Sequence, residues 1–165
     1  MKKSLNMLLA GAVALFSVSA LAGNPTLMDK VQAVSEGKAP IMSLSQSDYD
    51  AYLDHVEKGE TTWIKTTPAL AKYTDAGYSE DMSISLATAL PLNPVAVLSV
   101  IDEDNYPLSA KRVCSAPFID IDRQELDVYL RKTKAVLNKV TTPALKEKRD
   151  ACLKILNIPV GQPVQ

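Results

Sequence analysis

The residues that could carry out catalysis are few in this 165-residue sequence. Its one histidine, His55, lies beside an apolar stripe with helical spacing, and a single histidine cannot form a metal site alone. The sequence has no Gly-x-Ser-x-Gly, His-Glu-x-x-His or glycine-rich phosphate-binding motif. We therefore expect no cofactor, no metal and no catalytic residue, and this inventory favours a non-catalytic protein over an enzyme.

Clustered carboxylates are the remaining candidates for chemistry. Asp50 and Asp54 are spaced by one helical turn, with Asp48 and Glu57 close by. A pair of carboxylates with shifted pKa values can hydrolyse a glycosidic bond, so one alternative function is a small cell-wall hydrolase that uses the acidic residues of the 48–57 helix. The other interpretation is a solvated acidic face.

A second acidic group, at residues 102–105, resembles the beginning of a calcium-binding loop. An EF-hand loop needs glycine at its sixth position and glutamate at its twelfth, where this sequence has Pro107 and Val113. The pattern therefore favours an acidic turn over a weak surface ion site.

The two cysteines, Cys114 and Cys152, predict a disulfide. An even number of cysteines in an exported domain is normally paired, and a redox site would show the Cys-x-x-Cys spacing that is missing here. Closing a loop between residues 38 positions apart is expected to stabilise the fold by about 4 kcal/mol.

The amino terminus predicts export. Lys2 and Lys3 precede an apolar segment that ends at Ala20-Leu21-Ala22, which has small residues where a signal peptidase cleaves. We interpret residues 1–22 as a signal peptide, residues 23–157 as one helical domain and residues 158–165 as an extended C-terminal tail. The mature chain has no second long apolar segment, so we expect no membrane span and a periplasmic or secreted protein.

Charge is distributed unevenly between the two halves of the mature chain. Residues 23–107 contain 5 basic and 13 acidic residues, whereas residues 108–165 contain 11 basic and 6 acidic residues. The halves either pack together with dispersed charges or present opposite poles to a partner. Because the basic half lacks interleaved aromatic residues and the protein is exported, we expect no nucleic acid among its partners.

The hydrophobic periodicity predicts an all-α domain. Caps, proline starts and apolar stripes define six or seven short helices in an irregular bundle or a stacked helical-hairpin array with one disulfide. The clearest helices begin near Thr26, Ser47 and Asp122. Residues 95–101 are apolar and β-branched, so they suit a helix or a buried strand. Asn93-Pro94 favours the helix, although periodicity alone does not decide.

The connection 102–117 is the most distinctive feature and leads to the functional hypothesis. So long a connection inside a compact helical domain is unusual unless it is functional or disordered, and Cys114 fixes it near its end. We predict that it binds another protein, of unknown identity, and that the chain is a periplasmic protein-binding module, such as an inhibitor or immunity protein against an envelope-acting toxin or hydrolase. The predicted contact residues are Asp102, Glu103, Asp104, Tyr106, Lys111 and Arg112.

Overall fold

The computed structural model of the chain describes residues 24–74 and 76–159. Within these ranges the protein is all-α, as predicted, and contains no strand. The segment interpreted as a signal peptide and the tail beyond Pro159 lie outside the described residues. The α-helices, in chain order, are α1 (Leu27–Ser35), α2 (Gln46–Glu57), α3 (Thr61–Ile64), α4 (Thr67–Leu70), α5 (Ala76–Ala89), α6 (Pro94–Val100), α7 (Ala110–Val113), α8 (Arg123–Leu137) and α9 (Lys146–Leu156).

Side-chain caps set where several of these helices begin. Thr26 and Ser45 each form a reciprocal capping box with the aspartate three residues later, which satisfies backbone N–H groups that the first turn leaves unpaired. Asp122 accepts a hydrogen bond from the backbone N–H of Glu125 at the start of α8. The predicted start of α2 at Ser47 is therefore one residue late, because Ser45 is the cap and the helix begins at Gln46.

The apolar segment at 95–101 is helical. Asn93 caps α6 by accepting a hydrogen bond from the N–H of Ala96, and its Nδ2 donates to the carbonyl of Gly59 across the fold. Within α6, Val97 and Leu98 are fully buried. Two prolines occupy first turns, where their missing N–H is tolerated: Pro68 in α4 and Pro94 in α6.

The helices pack as an irregular bundle around one apolar core. The most extensive packing is between α2 and α5, while α7 lies against both α5 and α9. The predicted stripe of α2 faces this core, and its four members are buried: Tyr49, Tyr52, Leu53 and Val56. No helix within the described ranges is both long enough and apolar enough to cross a lipid bilayer.

The predicted disulfide is present. Cys114 and Cys152 are joined with a Cα–Cα distance of 5.2 Å, and both are fully buried. The bond fastens the end of α7 to α9. A buried disulfide is consistent with an oxidising compartment outside the cytoplasm.

Candidate functional site

The connection 102–117 is ordered and not an open loop: a turn at residues 102–108 is followed by α7. The backbone N–H of Asp102 donates to the carbonyl of Leu108 at 3.1 Å, which closes the base of the turn. The carbonyl of Pro107 accepts a hydrogen bond from the hydroxyl of Ser83 on α5 at 2.9 Å. Pro107 and Leu108 are buried, so the turn is anchored in the core and has little conformational freedom to lose on binding.

Two of the three acidic residues predicted to bind a partner shape this turn. Asp102 accepts a hydrogen bond from the backbone N–H of Asp104 at 3.1 Å, a contact typical of an Asx turn. Glu103 accepts one from the backbone N–H of Ala110 at 3.0 Å and so satisfies a donor in the first turn of α7. Asp104 is exposed. The acidic residues therefore determine the shape of the connection in addition to its charge.

Tyr106 and Arg112 form a pair on the side of the connection that adjoins α5. Tyr106 is 67 % exposed, and the guanidinium carbon of Arg112 lies 5.1 Å from the centre of its ring, which is a cation–π contact. The Nη2 atom of Arg112 is 3.7 Å from Oε1 of Glu80 on α5. Its Nε is buried and has no acceptor among residues 24–74 and 76–159.

A groove of about 870 Å³ lies on the other side of the connection. It runs between the end of α6, α7 and one face of α9, and Lys148 of α9 donates a hydrogen bond across it to the carbonyl of Ile101 at 2.6 Å. Three of the predicted contact residues line it: Asp102, Glu103 and Lys111. Tyr106 and Arg112 do not line it, so the structure divides the predicted site into two surfaces.

Three of the four carboxylates named for the hydrolase alternative are engaged in ion pairs or hydrogen bonds with other side chains. Asp48 is ion-paired to Lys30 at 2.8 Å, and the hydrogen bonds from Lys30 and from the cap of α2 lower the pKa of Asp48 to about 2. A catalytic general acid needs a raised pKa instead. Glu57 accepts a hydrogen bond from Ser85, and Asp50 accepts one from Gln46. The hydrolase alternative therefore stays a prediction without support from this helix.

His55 belongs to a different cluster. Its ring stacks on that of Trp63 with centroids 4.3 Å apart and an interplanar angle of 6°, and its Nδ1 lies 2.9 Å from Oε2 of Glu60. Trp63 is half-buried and packs against the core. Within the part of the chain that the structure describes, no group of three or more His, Cys, Asp or Glu side chains is arranged to hold a metal ion.

Sequence reasoning missed Glu80 and the groove. Glu80 was recognisable only as an acidic residue near the start of α5, since its partner Arg112 is 32 positions away. One wall of the groove is the face of α9 that carries Lys148, Ala151 and Ile155, and these residues have helical spacing. The opposite wall of the groove comes from a distant segment of the chain.

Comparison with protein-family models, with curated proteins and with solved structures finds no match to this chain. An all-α bundle by itself is compatible with many functions, so function has to be inferred from the site.

Proposed function

We propose that this chain is an exported, non-catalytic protein-binding module that acts by occupying a partner protein with the connection 102–117. The form of activity that fits best is that of an inhibitor or immunity protein, which docks into the cleft of an envelope-acting toxin or hydrolase. The observation that carries the proposal is Tyr106, a 67 % exposed aromatic side chain on a turn whose two ends are fixed to the core.

Two physical features support this function. Tyrosine and arginine are among the residues that contribute most to the binding energy of protein interfaces, and here they form one pair. The turn is held by the Ser83 hydroxyl on one side and by the buried disulfide at Cys114 on the other. Binding by a pre-ordered segment loses less conformational entropy than binding by a flexible one.

Residues 1–22 and the disulfide together support a periplasmic or secreted location. The amino-terminal segment has the composition of a cleavable signal peptide. A buried bond between Cys114 and Cys152 forms and persists where thiols are oxidised. A partner in the same compartment is therefore the one to test.

Site-specific photocrosslinking in the native periplasm tests the proposal. A benzophenone amino acid in place of Tyr106 should give one dominant crosslinked protein. The same substitution at Tyr73, which is 46 % exposed and lies in a different element, provides the matched control and should not give that product.

A loss-of-binding variant completes the test. The double variant Tyr106→Ala, Arg112→Ala should keep the wild-type melting temperature but lose capture of the crosslinked partner. If the double variant captures the same partner undiminished, the interface lies elsewhere on the surface.

A further inference from the structure

Arg112 has unused hydrogen-bonding capacity. A guanidinium group carries five N–H donors, yet the Arg112 side chain donates no hydrogen bond to any residue in the ranges 24–74 and 76–159. Its Nε is shielded from solvent, and its side chain as a whole is 26 % exposed. Unpaired N–H donors that are partly withdrawn from water are unfavourable, so an acceptor that reaches the Nη groups of Arg112 would be stabilised here.

The guanidinium is also held in a defined orientation. The ring of Tyr106 covers one face at 5.1 Å, and Nε is shielded from solvent, so an incoming group meets the guanidinium at its Nη atoms. The backbone of α7 is fixed next to Cys114 by the disulfide. An oriented guanidinium edge matches the two oxygen atoms of a carboxylate.

Glu80 is only a loose partner in this arrangement. Its Oε1 is 3.7 Å from Nη2 of Arg112, beyond hydrogen-bonding distance, and its side chain is 54 % exposed. An exposed ion pair of this kind contributes little to stability. Exchange of the Glu80 carboxylate for an incoming carboxylate with better hydrogen-bond geometry to Arg112 would therefore cost little free energy.

We propose that Arg112 is the binding site for a carboxylate of the partner protein, and that Glu80 occupies this position until the partner displaces it. The proposal rests on the proposed protein-binding function and adds the chemistry of the partner: an acidic side chain beside an apolar surface that covers the exposed ring of Tyr106. A hydrolase whose cleft presents carboxylates, as glycosidases do, has this chemistry.

A carboxylate fits this position better than a phosphate does. The displaced Glu80 stays on α5, close to the bound anion, and its charge opposes a phosphate of nearly two negative charges more strongly than it opposes a carboxylate of one. The partner group should therefore be an aspartate or glutamate and not a phosphorylated residue.

Defined peptides test this chemistry whichever protein the partner is. The ¹⁵N-labelled protein is titrated with acetyl-Leu-Glu-Leu-amide, with its glutamine analogue and with its phosphoserine analogue, while the NMR signals of Arg112 Nε–H and the Tyr106 ring are followed. We expect the glutamate peptide to bind with a Kd of about 1 mM and the glutamine peptide to bind at least about tenfold more weakly. Equal binding of these two peptides, or tighter binding of the phosphoserine peptide, overturns the proposal.

Variants at the two charged positions separate displacement from other roles. Glu80→Gln removes the internal competitor and should tighten glutamate-peptide binding by about two- to fivefold. Arg112→Lys keeps the charge without the planar group and should weaken binding, and Arg112→Gln should abolish it. The matched control is Arg123→Gln, which removes an arginine with an exposed ion pair on α8 and should change nothing. Weaker binding by Glu80→Gln contradicts the displacement.

The two proposals fail in different ways. If the crosslink formed at position 106 persists undiminished in Arg112→Gln, protein binding stands and the carboxylate site is wrong. If no crosslink forms at position 106 although the glutamate peptide binds at Arg112, the chemistry of the site stands and the proposed use of this surface in protein binding is wrong.

Discussion

Two clusters in this protein combine similar kinds of side chain but differ in how completely their polar groups are paired. The His55 cluster consists of His55, Trp63 and Glu60, and the Arg112 cluster consists of Arg112, Tyr106 and Glu80. In each, a nitrogen-bearing side chain lies against an aromatic ring and close to a glutamate.

The His55 cluster is closed. Its rings are stacked at 4.3 Å, its histidine is within 2.9 Å of the glutamate, and Trp63 continues into the core beside Tyr52 at a centroid distance of 6.0 Å. The Arg112 cluster is open, because the glutamate is 3.7 Å away, Nε of Arg112 has no acceptor within the described ranges, and Tyr106 is mostly exposed. Similar combinations of residues thus form a structural contact around His55 and, in our proposal, a binding surface around Arg112.

Removing the disulfide should have the largest effect and should act on one cluster only. The variant Cys114→Ala, Cys152→Ala should lower the free energy of unfolding by about 4 kcal/mol, because the unfolded chain regains the entropy that the closed loop removes. Urea unfolding measures the loss. In NMR spectra the signals of Arg112 and Tyr106 should broaden, whereas those of His55 and Trp63 should not. Equal broadening in both clusters would contradict the claim that the disulfide orders the Arg112 cluster only.

Truncating Trp63 should have the second largest effect. Trp63→Ala removes a half-buried ring that packs on His55 and on the core, and should lower the free energy of unfolding by about 2 kcal/mol. Urea unfolding with Trp63→Phe as a milder control measures this. A wild-type unfolding midpoint for Trp63→Ala would show that this ring is a surface residue and that both clusters are open.

The loss of stability at alkaline pH should report on Tyr52, which lies beside Trp63 of the His55 cluster. Burial raises the pKa of Tyr52 well above its ordinary value of 10.0. Above pH 10 the folded state keeps a proton that the unfolded state loses, so stability should fall with rising pH by up to about 1.4 kcal/mol per pH unit. Tyr52→Phe should remove this contribution to the slope. Burial also raises the pKa of Tyr129, so Tyr129 supplies a second contribution, which Tyr52→Phe leaves in place. Urea midpoints between pH 9 and 11 measure the slope, and an unchanged slope in Tyr52→Phe would refute the assignment.

Truncating Tyr106 should have the smallest effect on stability. Because its ring is mostly in solvent, Tyr106→Ala should change the free energy of unfolding by no more than about 0.5 kcal/mol. Capture of the partner should nevertheless be lost. Tyr73→Ala serves as the control for an exposed tyrosine outside the site. A loss of stability as large as that of Trp63→Ala would place Tyr106 among the structural residues.

Several helix boundaries could be predicted because they depend on neighbouring residues. Thr26 and Asp122 cap helices through side chains that reach only three positions along the chain, and Pro68 suits the first turn of α4 because a missing N–H is tolerated there. The candidate site was proposed from the length of the connection 102–117 and its fixation at Cys114. The periodicity of residues 95–101 was insufficient, because a short buried helix and a buried strand have the same apolar composition.

The sequence by itself determined the all-α class, the pairing of the two cysteines and the segment that carries Tyr106 and Arg112, since each depends on residue types and local spacing. Only the tertiary structure decided that Glu80 lies 3.7 Å from Arg112, that Lys148 reaches the carbonyl of Ile101, and that Tyr106 stays exposed while Trp63 packs on the core. These contacts join residues from distant helices. Their positions depend on how the whole core packs, and no local pattern records that packing.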